Sequence, residues 1–109
     1  GHLTEEVFGV RDLQKILTAL SEDEVVIDCR TPDEYEAGHI PGAINLPMGK
    51  ELDQLGELRD YRKIYLYCYS GRRSQTVFAT LTSKGLDNLV CLGSSGMAEW
   101  KKFGYPVER

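Results

Sequence analysis

Apolar residues along this chain come in short unbroken runs separated by helical patterns, and that alternation restricts the fold more than any other feature. In Glu24-Val25-Val26-Ile27-Asp28-Cys29-Arg30 the apolar positions follow one another instead of alternating with polar ones. A run of that kind reads as a strand covered on both faces. Ile64-Tyr65-Leu66-Tyr67 and Leu89-Val90-Cys91-Leu92 predict two more strands, and Ala43-Ile44-Asn45-Leu46 a brief one. Residues 3–9, with Val7 and Phe8, suggest a short edge strand. Leu13, Ile16, Leu17 and Leu20 fall at i, i+3, i+4 and i+7, one apolar face of an amphipathic helix. Ser74 to Lys84 predicts a helix with Val77, Phe78 and Leu81 inward and Gly85 at its end. Met97 to Phe103 predicts another, closed by Gly104 and Pro106. Leu52, Leu55 and Leu58 at spacing three suggest one loose helix, weakened by Gly49 and Gly56. Strands alternating with helices imply an α/β fold in three layers, a mainly parallel sheet with helices on both faces.

Thr31-Pro32-Asp33-Glu34 is a complete helix start: Thr31 can cap, Pro32 fits the first helical position and Glu34 completes a capping box. Gly38 offers a left-handed stop, and His39, just beyond, is expected to cap helix carbonyls. Trp100 reads as core packing.

Length bounds the chain to one domain, residues 1–109, with Gly1-His2 readable as the remnant of a tag. A chain of this size buries about two-thirds of its unfolded surface and needs no disulfide or metal to fold. The net charge is -4, with acids and bases mixed along the sequence. That distribution argues against a nucleic-acid footprint and against a polybasic membrane patch. No bilayer-length apolar run and no signal pattern is visible. Three cysteines, at 29, 68 and 91, cannot complete a disulfide framework, and their spacing matches no zinc pattern. Reduced thiols suit the cytoplasm. Cys29 and Cys91, inside apolar runs, read as small core residues.

Cys68 is different, because a glycine-containing loop with two arginines follows it: Cys68-Tyr69-Ser70-Gly71-Arg72-Arg73-Ser74. A buried strand delivers the cysteine to the sheet edge, where a short loop can curl its N–H groups around the sulfur. The next helix points its positive end at the same place. An ordinary thiol has a pKa of about 8.5, and such a site lowers it. Asp28 and Arg30 end one strand, Cys68 another, and Gly93 to Gly96 follows a third, so topology gathers all of them on one rim.

These residues carry a family resemblance. Cys68 to Ser74 resembles the C-x-x-G-x-R-S/T active-site loop of the rhodanese family of single-domain sulfurtransferases. Asp28-Cys29-Arg30, then Glu34-Tyr35 and Gly38-His39-Ile40-Pro41-Gly42-Ala43, resembles the family's D-x-R…E-F/Y…G-H-I-x-G-A block. Ser95-Gly96, Trp100 and Gly104-Tyr105-Pro106-Val107 resemble its G-G…W…G-Y/F-P-V tail, with Ser95 in place of the first glycine.

The resemblance implies a five-stranded rhodanese-type sheet and a double displacement without an external cofactor or metal. Cys68 would take the outer sulfur of a small anionic donor such as thiosulfate, become a persulfide, and pass sulfur to a thiophilic acceptor such as cyanide or a thiol. Persulfide chemistry would also work in a periplasm if a signal segment was removed. Arg72 and Arg73 are the anion-handling candidates: one would draw the donor and the other anchor the loop to an acidic partner. Gly71 would permit a backbone angle that lets consecutive amides face inward. Ser74 would start the helix or add a hydroxyl, and Tyr69 and Ser70 would form the pocket wall. Asp28 and Arg30 would support the rim, with Arg30 pairing Glu34 or a loop carbonyl.

Three rivals are weighed against that reading. A phosphatase or arsenate reductase on this fold uses the longer C-x5-R loop to embrace a tetrahedral oxyanion, whereas Cys68 to Arg73 is C-x4-R. A carrier module would form the same persulfide and deliver it to a partner protein's thiol. A catalytically dead domain would usually lose the cysteine, and this chain keeps it.

Overall fold

The computed structural model describes residues 9–93 and 95–109. Their elements alternate as the apolar runs predict: α1 (Val10–Leu17), β1 (Glu24–Asp28), α2 (Pro32–Ala37), β2 (Ile44–Asn45), α3 (Leu55–Arg59), β3 (Lys63–Tyr67), α4 (Arg72–Ser83), β4 (Leu89–Cys91) and α5 (Met97–Lys102). The four strands lie in the order β2-β1-β3-β4, and each neighbouring pair is parallel. The edge strand expected within residues 3–9 falls, apart from Gly9, outside the described residues. His39 and Glu108 add an isolated antiparallel bridge.

The unbroken apolar runs are explained by two cores, one on each face of the sheet. Side chains alternate across a strand, so Val25, Ile27 and Cys29 of the first run and Ile64, Leu66 and Cys68 of the second enter one core with Leu58, Val77 and Leu81. Val26, Tyr65 and Tyr67 enter the other with Leu13, Met97 and Trp100. Helices α3 and α4 therefore cover one face, and α1 and α5 the other. Trp100 is buried, and its Nε1–H donates to the carbonyl of Pro106.

Three expectations need correction. The loose helix through Leu52, Leu55 and Leu58 is two pieces, a 3-10 turn (Glu51–Gln54) followed by α3. Gln54 leaves helical geometry at φ -120, ψ 21, so the leucines share no face: Leu58 is buried and Leu52 exposed. Helix α4 begins at Arg72, two residues before the expected start, because the turn at Gly71 already aims the chain into it. Cys91 is half-buried and not a full core residue.

Candidate active site

The site is built from the end of β3. Cys68 is the first residue past that strand and is 1% exposed. Its backbone is pinned, since the N–H of Met97 donates to the Cys68 carbonyl at 2.8 Å and that of Ala98 to the Tyr69 carbonyl at 3.0 Å. This docking of the α5 start needs a glycine at Gly96, where a Cβ would overlap the Cys68 carbonyl. Ser95 stands in a different situation: no described non-glycine residue has positive φ, so this position does not demand the left-handed angle that favours glycine.

The loop then turns at Gly71, which has φ 101, a left-handed angle that glycine adopts without steric cost. The turn brings the Gly71 N–H to 3.1 Å and the Ser74 N–H to 3.3 Å from Cys68 Sγ. Burial opposes ionisation of this thiol, but the N–H and hydroxyl of Ser74 and the N–H groups of Gly71 and Arg73 outweigh it and hold its pKa below the ordinary value. Ser74 is fully buried. Its Oγ lies 3.6 Å from Cys68 Sγ and donates to the Gly71 carbonyl at 3.2 Å.

The two arginines take different places. Arg73 grips Glu34 with both terminal nitrogens, Nη1 to Oε1 at 2.6 Å and Nη2 to Oε2 at 3.1 Å. The same carboxylate accepts from the Thr31 N–H in the capping box of α2, so one side chain caps a helix and ties down the loop. The Arg73 hydrogen bonds dominate its titration and hold Glu34 down at about 2. Arg72 is exposed and forms no ion pair among the described residues. Tyr69 and Ser70 are exposed at the mouth of the loop.

Asp28 and Arg30 do not reach the sulfur. Arg30 bonds Asp28 through Nε and Nη2, the latter at 2.7 Å, and Nη2 also donates to the Gly38 carbonyl at 2.7 Å. The loop carbonyl is thus its partner, and Glu34 pairs with Arg73 instead. Tyr67 donates its hydroxyl to Asp28 at 2.7 Å and accepts from the Ile40 N–H. This buried network fixes Tyr67, the residue before Cys68, from the opposite face of the sheet. His39 Nδ1 lies 2.8 Å from the Tyr35 carbonyl at the end of α2.

One neighbour escaped the sequence reading. Cys91 Sγ lies 3.7 Å from Ser74 Oγ, the hydroxyl that Cys68 Sγ also approaches. Its only signal is the β3–β4 register, Leu66 opposite Cys91, which the apolar pattern does not specify. A groove of about 640 Å³ lies elsewhere, beside β2 against Ile44, Leu58 and Tyr61. It holds no nucleophile, so the chemistry at Cys68 outweighs cavity size in locating the site. Among the described residues no group of histidine, cysteine or acidic side chains could hold a metal.

A strand-end thiol in a backbone cradle, on a parallel sheet covered on both faces, defines a class of protein as well as a site. The rhodanese-like domain family matches residues 12–103, and the chain belongs to that family. A crystal structure of a rhodanese-related protein from Thermoplasma volcanium superposes with a TM-score of 0.78 at 31% identity, covering 94% of this chain and 97% of that one. The thiosulfate sulfurtransferase GlpE of Coxiella burnetii is 38% identical over 72% of this chain and 73% of its own length. YrkF of Bacillus subtilis, by its name a proposed sulfur carrier protein, is 35% identical over 69% of this chain. The chain spans only 40% of that relative's length.

Proposed function

We propose that residues 1–109 act as one sulfurtransferase domain that carries sulfane sulfur on Cys68. The observation that carries this reading is the pair of N–H groups, from Gly71 and Ser74, aimed at one buried sulfur. A cradle of that kind favours the thiolate, which is the nucleophilic form. With thiosulfate as donor, the Cys68 thiolate attacks the outer sulfur, the donor's S–S bond breaks, and sulfite leaves with the electron pair. The resulting persulfide is then attacked at its outer sulfur by cyanide or a thiolate, and the Cys68 thiolate is the leaving group. Exposed Arg72 is the cation free to draw the anionic donor, while Arg73 serves as the anchor. Its commitment to Glu34 also leaves it poorly placed to embrace a phosphate, which speaks against the phosphatase reading. Relatives named as sulfurtransferases support sulfur transfer of the rhodanese type.

A carrier role is the second reading, favoured by the likeness to YrkF. Intact mass after incubation with thiosulfate tests both. A gain of about 32 Da, one sulfur atom, on wild type but not on Cys68→Ser is expected. No gain on the reduced wild-type protein overturns thiosulfate as donor. Rapid thiocyanate production with cyanide then marks an enzyme, and a stoichiometric persulfide with slow turnover marks a carrier.

A further inference from the structure

Cys91 has no part in the chemistry above, yet it touches the group that supports it. It sits opposite Leu66 in the β3–β4 register, on the sheet face that also carries Cys68. Both thiols reach the Ser74 hydroxyl, Cys68 Sγ at 3.6 Å and Cys91 Sγ at 3.7 Å. A hydroxyl has one proton to give and two lone pairs to receive. While Cys68 is a thiol, it can donate to Ser74 Oγ, and Ser74 gives its own proton to the Gly71 carbonyl at 3.2 Å. When Cys68 ionises, that donation is lost. The serine proton is now better placed on the sulfur, and Ser74 Oγ is left to receive from Cys91.

We propose that Cys91 is a positioning residue acting through Ser74: its S–H donates to Ser74 Oγ and turns the hydroxyl proton toward the ionised Cys68 sulfur. The inference rests on Cys68 being the nucleophile. Burial pushes the Cys91 thiol up against the opposing pull of its Ser74 hydrogen bond, and the neighbouring Cys68 adds to the rise, so Cys91 is still a donor when Cys68, held below the ordinary value, has lost its proton. Its alternative acceptor, the Leu92 carbonyl, is no closer, at 3.8 Å. Among the described residues, the titratable and charged groups that act on the two thiols include Cys29 past the end of β1, kept protonated by burial, and Arg73 on α4, paired with Glu34. Asp28 and Glu51 act on Cys29.

The test is the pH dependence of Cys68 alkylation by iodoacetamide, read from the mass of the Cys68 peptide. Cys91→Ala is expected to raise the midpoint by about 0.3–0.7 pH units, making alkylation about two- to five-fold slower below it. Cys91→Ser, which keeps a donor, should stay within about 0.2 units of wild type. In a Ser74→Ala background, Cys91→Ala should shift nothing further. Cys91→Val fills the space without a donor and repeats the test if the alanine variant melts early. An unchanged midpoint in folded Cys91→Ala or Cys91→Val, or an equal shift without Ser74, overturns the proposal. Sulfur loading is a separate readout: a wild type that takes no sulfur from any donor defeats the sulfur-transfer reading while the midpoint shift still appears.

Discussion

Cys29 and Cys68 occupy matching places and have opposite fates. Each is the first residue past a central parallel strand, each faces the same core, and each is 1% exposed. Their strand ends lie side by side, since the Cys29 N–H donates to the carbonyl of Tyr67, the residue before Cys68. Yet burial drives the Cys29 thiol far up, while Cys68 is held below the ordinary value. The difference lies in the next few residues. After Cys29 the chain runs straight into α2, the Arg30 N–H goes to Asp28, and no hydrogen bond reaches the Cys29 sulfur among the described residues. After Cys68 the left-handed turn at Gly71 doubles the chain back, so that N–H groups face the sulfur. A strand end supplies the position, but the loop supplies the charge state.

The strongest way to break this comparison is to exchange the two sulfurs for oxygen. Cys68→Ser is expected to abolish persulfide formation and turnover. Cys29→Ser should keep turnover within a few-fold and lose about 1–3 kcal/mol of stability in urea unfolding, because it buries a hydroxyl without a partner. Loss of turnover in a folded Cys29→Ser protein would mean that both thiols take part.

A subtler change makes Cys68 resemble Cys29. Gly71→Ala places a side chain at φ 101, where the loop must distort at a cost of about 1 kcal/mol or more. Turnover should rise with pH through the lowered Cys68 pKa in wild type. In the variant that rise should move to higher pH, with about ten-fold less activity near neutrality. An unmoved pH profile would show that the cradle does not set the thiolate.

The smallest expected effect concerns the anchor. Glu34 is held at about 2 against an ordinary value of 4.5. A carboxylate depressed by folding contributes stability that is full above pH 4.5 and lost as pH falls toward 2. Because the pair is partly exposed, the contribution is modest. Arg73→Ala should flatten the loss of stability across that acid window and lower kcat/KM several-fold through a looser loop. Acid unfolding curves and steady-state kinetics check the two effects, and unchanged kinetics would reduce Arg73 to surface charge.

Much of this was legible in local sequence. The unbroken runs at Val25 to Ile27 and Ile64 to Tyr67 require a strand buried on two faces, because every side chain must leave water whichever way the pleat sends it. Thr31, Pro32 and Glu34 dictate a helix start within four residues, and Gly71 three residues past Cys68 dictates a tight turn. Those rules act over distances the chain itself sets. Partnerships between distant segments were decided only in three dimensions. Glu34 was visible as a cap, but its capture by Arg73 depends on α2 lying beside the start of α4. Arg30 bonds Asp28 and the Gly38 carbonyl and leaves Glu34 to Arg73. The contact of Cys91 with Ser74 depends on the β3–β4 register, which follows from how α4 packs on the sheet and from no residue in β4 alone. Sequence determined where Cys68 stands and how its loop turns, since both follow from local backbone chemistry. Tertiary structure decided which side chains answer it, since hydrogen bonds go to whatever packing brings within reach.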